Sequence, residues 1–151
     1  MLRDAVPEDH PALRSIFRRS SLSNAGDRPL LLANPAHLAW REPTGCHAFR
    51  VRVAVTADAV IAGFATLVIG AGGAQLDDLF VDPRFMRRGI GLALVGDAAR
   101  LAREAGCSAL AVTANRHAAA FYAAAGFDGC EMVKTPLGAG TRLLLQLPAA
   151  R

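Results

Sequence analysis

At 151 residues, 52% hydrophobic and 20% charged, the chain has the composition of one globular domain with a substantial core, not of a disordered segment. Its net charge of +4 comes from sixteen arginines, dispersed apart from Arg18-Arg19 and the Arg84, Arg87 and Arg88 group, and one lysine, Lys134; with one Trp and one Tyr, this argues against a broad basic-aromatic nucleic-acid face. No apolar run reaches the roughly 18 to 20 residues of a membrane span.

The first residues carry no apolar signal-peptide core, so a cytoplasmic location is expected. Cys46, Cys107 and Cys130, and His10, His37, His47 and His117, lack the spacing of a disulfide framework or a metal site. No metal, no membrane and no nucleic-acid partner are expected.

In chain order, Leu2 to Val6 reads as a short strand. Pro7 and the acids Glu8 and Asp9 open a helix whose Leu13, Ile16 and Phe17 form one buried face. Ser20 to Pro35 looks looser, and Asn34 with Pro35 predicts the start of a short helix through Trp40. Phe49, Val51, Val53 and Val55 alternate with Arg50, Arg52, Ala54 and Thr56, the period of a half-exposed strand. A turn at Ala57-Asp58 leads to a second strand, Val60 to Ile69, and a glycine loop to a third ending at Asp82-Pro83.

A helix from Gly89 to Glu104 follows, with Leu94, Ala98 and Leu101 on one face and Gly106 as its stop. Ser108 to Asn115 reads as a buried parallel strand, His117 to Ala125 as an alanine-rich helix closed by Gly126, and two last strands complete the chain. The order β-α-α-β-β-β-α-β-α-β-β describes a single α/β domain over residues 1–151, with a mixed sheet of about seven strands and about four helices.

The stretch "VDPRFMRRGIGLALV" (Val81 to Val95) carries the chemistry. A helix beginning at Arg88-Gly89 presents amide N–H groups without intrahelical partners, and these and the helix dipole favour a phosphate. Glycine lets the anion approach the backbone, and neighbouring arginines add charge-assisted bonds. A dinucleotide fingerprint fails because Leu94 stands where the third glycine belongs, and no phosphate-loop GxxxxGK[ST] string is present.

What remains is [Q/R]-x-x-G-x-[G/A] directly after a strand and its V-x-P exit. Here Met86-Arg87-Arg88-Gly89-Ile90-Gly91 follows Leu79-Phe80-Val81-Asp82-Pro83, and this segment resembles the GNAT superfamily of acyl-CoA-dependent N-acetyltransferases. "NRHAAAFYAAAGF" is similar to that family's Asn-(x)6-Tyr helix, and "LRDAVPEDHPAL" to its opening strand and helix. Met86 departs from the usual Gln or Arg, which leaves more of the phosphate binding to Arg87, Arg88 and backbone N–H groups.

The resemblance implies transfer of an acetyl group from acetyl-CoA to an amine. It implies that Leu79, Phe80 and Val81 hold the pantetheine arm, with Asn115 bonding it as well. Arg87, Arg88, Gly89, Ile90, Gly91 and Leu92 would hold the pyrophosphate. Tyr122, the only tyrosine, matches the general acid for the departing thiolate.

An amine of pKa about 10.4 must lose a proton before it attacks. Asp77 and Asp78 stand on the strand that enters the turn, on opposite faces by its alternation. Relatives commonly carry an acid or imidazole at the position of Asp77, which makes Asp77 the expected base. Acetylases of ribosomal-protein N-termini place a Glu on the next strand, where this chain has Leu110.

The acceptor, an amine-bearing small molecule or peptide, would be walled by Ser20 to Trp40 and by His47. The last strands could pair between two copies as a homodimer. A non-catalytic acyl-CoA-binding module is the alternative.

Overall fold

The computed structural model describes residues 1–24, 26–40, 42, 48–135 and 138–148, with backbone alone at His37 and Cys130. The chain runs through β1 (Leu2–Asp4), α1 (His10–Leu22), α2 (Arg28–Ala33), β2 (Ala48–Val55), β3 (Ile61–Gly70) and β4 (Gly73–Val81). It continues with α3 (Ile90–Glu104), β5 (Ala109–Ala114), α4 (Ala119–Ala124), β6 (Asp128–Thr135) and β7 (Gly138–Gln146). The seven strands form one sheet in the order β1-β2-β3-β4-β5-β7-β6. Every pairing is antiparallel except β4 with β5, which the α3 crossover makes parallel. Among the described residues, no helix is long and apolar enough to cross a membrane.

Helices cover both faces of the sheet. On one face Leu13 and Ile16 of α1 pack with Trp40, Val51, Val53 and Phe64. On the other, Leu94, Val95, Ala98, Leu101 and Ala102 of α3 pack against Leu67, Leu76, Leu110 and Val112, and Tyr122 and Phe127 join this cluster.

This double cover overturns the reading of β2 as half exposed, since Val51, Arg52, Val53 and Ala54 are all buried. Arg52 tolerates burial because its guanidinium grips Asp97 of α3 at 2.8 and 3.2 Å and reaches Asp4 of β1 at 3.1 Å. The second helix is also displaced. It occupies Arg28–Ala33, only a 3-10 turn spans Pro35–Leu38, and Asn34 closes α2 by donating from Nδ2 to Leu30 O at 2.8 Å.

One irregularity positions everything that follows. β4 pairs with β5 over only three residues, Ala74 to Leu76 against Leu110 to Val112. At the next residue the β3–β4 register slips: Leu67 opposes Leu76 but Thr66 opposes Asp78, so Asp77 is the extra residue of a bulge. A bulge bends its strand and ends pairing. Beyond it, β4 leaves β5 and the sheet opens as a V.

Candidate active site

The open V is a slot with hydrogen-bonding backbone along one wall. Asp82 N–H donates to Ala62 C=O at 2.8 Å, so by the alternation of an antiparallel ladder the polar groups of Phe80 turn toward β3. Those of Leu79 and Val81 therefore turn into the gap, where no strand meets them. A cavity of about 780 Å³ follows this edge. It runs from Met86, Arg87 and Gly89 at one end, past Leu79 to Val81, to Asn115, Phe121 and Tyr122, and is closed by Phe17, Ser20, Asn24, Asp27 and Leu31 of the α1–α2 region.

At its phosphate-like end the chain adopts two left-handed residues. Gly89, the N-cap of α3, has φ 76° and ψ 8°, and Arg87 has φ 64°. A non-glycine residue held there is uncommon and clusters at functional sites. The result is a turn that delivers the unpaired N–H groups of the first turn of α3 to the cavity. The two glycines serve different purposes. A Cβ on Gly89 would meet nothing within 4 Å, so its requirement is conformational; a Cβ on Gly91 would lie 3.1 Å from Phe121 Cζ, so its requirement is the close approach of α4.

The arginines near this turn also divide. Arg84 is spent on the fully buried Asp82, which it meets at 2.8 Å while Arg19 of α1 meets the same oxygen at 2.6 Å. Burial alone would raise the Asp82 carboxyl, but these two guanidiniums and the Arg84 N–H overcome it and hold it far below the usual carboxylate range. Arg87 lines the cavity. Arg88 is exposed, with its guanidinium 5.3 Å from the centre of the Phe85 ring.

At the other end Tyr122 is 6% exposed, edge-on to Phe121 and Phe127 with ring centres 5.1 and 5.3 Å away. Burial first, then the negative charge of Asp78, pushes its phenol well above the ordinary value, so it remains protonated. Asn115 Oδ1 accepts from His117 N–H at 2.9 Å and Ala118 N–H at 3.0 Å, which starts the turn into α4 and leaves its amide on the cavity wall.

The two aspartates differ. Asp77, the bulge residue, is exposed. Asp78 is drawn inward, and its Oδ2 accepts from Trp40 Nε1 at 3.0 Å. Burial raises the Asp78 carboxyl above its usual value, against the opposing pull of its donors.

Residues 11–127 match the Acetyltransferase (GNAT) family. The chain belongs to this family. No curated protein matches it significantly, whereas many solved structures share its fold. A GCN5-related N-acetyltransferase from Rhodopseudomonas palustris, also described as an aminotransferase of class II, is 25% identical with a TM-score of 0.77, covering 97% of this chain and 95% of that one. The ribosomal-protein-S18-alanine N-acetyltransferase of Escherichia coli is 21% identical (TM-score 0.74, 100% and 96% covered). The PaiA N-acetyltransferase of Thermoplasma acidophilum in complex with coenzyme A is 18% identical (TM-score 0.71, 97% and 98% covered).

Within this GNAT domain the motif residues Leu79, Phe80, Val81, Arg87, Gly89, Ile90, Gly91, Leu92, Asn115 and Tyr122 border one cavity, with Arg88 just outside it. His47 lies outside the described residues, and Leu110 is fully buried in the core. Among the described residues no group of three or more His, Cys, Asp or Glu could hold a metal.

Sequence reasoning missed a clamp. Asp27, 5% exposed, accepts from Arg116 at 2.7 Å and meets His117 Nε2 at 2.9 Å, tying the entry of α2 to the entry of α4 across the cavity wall. No local pattern announces a contact between residues about ninety positions apart. The Trp40–Asp78 bond was missed for the same reason.

Proposed function

We propose that this GNAT domain transfers the acetyl group of acetyl-CoA to the amine of a small molecule or peptide, by direct attack with both substrates bound. One observation carries the reading: a single cavity joins the left-handed turn at Gly89, the unpaired edge of β4 and the Tyr122 hydroxyl region. The residues present fit the cosubstrate. The N-terminus of α3 and Arg87 offer donors to a pyrophosphate. Leu79 and Val81 offer strand-like partners to the amides of a pantetheine arm, and Asn115 offers a side-chain amide. The Thermoplasma protein of the same fold is in complex with coenzyme A, which supports coenzyme A as the ligand here. A cytoplasmic setting suits that cosubstrate.

Acetyl-CoA, when bound, supplies a thioester carbonyl open to a neutral amine. The chain supplies the rest. An ammonium must first lose a proton, and a carboxylate whose acidity burial has moved toward neutral is the better acceptor. That favours Asp78, close enough for its charge to act on the Tyr122 phenol though not itself on the cavity lining, over the exposed Asp77, which the sequence had put first. Tyr122 holds a proton at the other end of the slot for the departing sulfur. A phenol this weakly acidic donates uphill to a thiolate in water, but the same burial that raises the phenol raises a thiol released beside it.

The test is calorimetry with acetyl-CoA, followed by mass spectrometry of products from amino acids, arylalkylamines, polyamines, aminoglycosides and peptides with free N-termini. One-site binding and an acetylated amine are expected. Binding without turnover of any amine would indicate the acyl-CoA-binding module, and affinity no better than for an unrelated anion would overturn both.

A further inference from the structure

Trp40 donates its indole N–H to Asp78 across 38 positions of sequence, at 3.0 Å. An indole nitrogen is a donor only, so it can hold a carboxylate but cannot exchange roles with it. This indole is also fixed in place. It is 4% exposed, and its ring stands edge-on between His10 of α1 and Phe64 of β3, with centroid distances of 5.5 Å to each. Phe64 continues to Phe80 at 5.8 Å and Phe80 to Phe17 at 4.7 Å. The last two rings line the cavity, so an unbroken row of aromatic contacts runs from the cavity wall to the donor.

We propose that Trp40 is a positioning residue, whose indole N–H fixes the orientation of the Asp78 carboxylate and favours its charged form. The inference rests on Asp78 as the base of the proposed reaction. Asp78 needs such a partner because burial and the neighbouring negative Asp77 of β4 disfavour its charge. Around it, β3 presents the buried Thr66 across the ladder, whose hydroxyl favours the carboxylate as the indole does, and α4 presents the protonated Tyr122 phenol. The imidazole of His10, which meets the indole edge-on, is paired with Glu42 at 3.1 Å. Among these neighbours a neutral, rigid donor stabilises the anion without neutralising it, so the carboxylate remains free to take up a proton.

The test titrates Asp78 directly by carbon-13 carboxyl NMR in the wild-type protein and in Trp40→Phe, alongside the pH profile of kcat with the fastest amine of the panel. Losing the N–H should raise the Asp78 midpoint by about one pH unit. The acidic limb of kcat should rise with it, giving about a tenfold loss below the limb and a retained plateau. Asp78→Asn should abolish that limb.

An unmoved Asp78 midpoint overturns the proposal. A moved midpoint, with the limb unchanged in Trp40→Phe but lost in Asp78→Asn, overturns its catalytic part. If neither variant touches the limb, Asp78 is not the base, and the reading beneath the proposal fails instead. Should Trp40→Phe not fold, benzothienylalanine at position 40 keeps the two fused rings, lacks the donor and is read the same way.

Discussion

Two regions of this sheet, the closed end at β1 and β2 and the open end of β4 where it parts from β5, solve opposite problems. Where β1 and β2 meet α3, every charge is matched: Arg52 satisfies Asp97 and Asp4, and Arg100 adds a bond to Asp97 at 3.0 Å. Where β4 leaves β5, the backbone of Leu79 and Val81 and the start of α3 are left unmatched among the described residues. The first contributes stability through paired, buried charges. The second pairs weakly with the rest of the protein, and that makes it able to hold something else.

The comparison can be broken from either side. The largest effect is expected at the open end. Gly89→Asp puts a side chain on a left-handed residue and a negative charge where a phosphate would sit. Acetyl-CoA affinity should fall by at least about 10³-fold in calorimetry, while the unfolding temperature moves little.

At the closed end, Asp97→Asn strands the buried Arg52 and should cost about 3 kcal/mol of stability by urea unfolding. Acetyl-CoA affinity of the folded protein should stay near wild type. Loss of affinity without loss of stability would mean that the two ends are not separate.

Tyr122→Phe sharpens the contrast within the cavity, since it keeps the ring between Phe121 and Phe127 and removes only the proton. On the order of 10²-fold in kcat should be lost at unchanged acetyl-CoA affinity, with some residual rate from the orientation of the reactants. A wild-type kcat on a fast amine would reduce Tyr122 to packing.

The smallest effect is on acid stability. Asp82 and Asp97 are held below the unfolded carboxylate value of about 3.9 by their arginine partners. Their contribution is therefore complete above that value and is lost as pH falls through their lower folded values. Thermal unfolding should be flat near neutrality and decline below about pH 4, and Asp82→Asn should lessen that decline. A decline beginning near pH 6 would point to histidines instead.

Much of the open end is legible in the sequence alone. The glycine turn, the exit through Asp82-Pro83 and the Asn115–Tyr122 spacing are local, and local patterns survive folding. The order of strands and helices along the chain is legible as well, from periodicity and breakers. What could not be read was set by distance or by a single slipped residue.

Strict alternation at Asp77-Asp78 predicts two faces but not which acid turns inward, because the bulge re-aims them. Arg52 looked solvated because an arginine in a period-two strand usually is; its partner is 45 residues away on α3. Arg84 was grouped with Arg87 and Arg88 because the three are neighbours in sequence, yet the buried Asp82 takes it out of the cavity.

The missing methyl at position 91 has a consequence for how this protein can change over generations. A carbon there would lie 3.1 Å from the Phe121 ring, tighter than ordinary contact, and that ring stands 5.1 Å from the Tyr122 ring. Any larger residue at 91 must displace the Phe121 ring, so under the proposed function one substitution would alter ligand grip and proton delivery together. Variation that tunes affinity alone has to arise elsewhere, at exposed positions such as Met86 and Leu92, whose side chains have room to differ. Under that function position 91 is a coupled trait, and drift there would have to satisfy both roles at once.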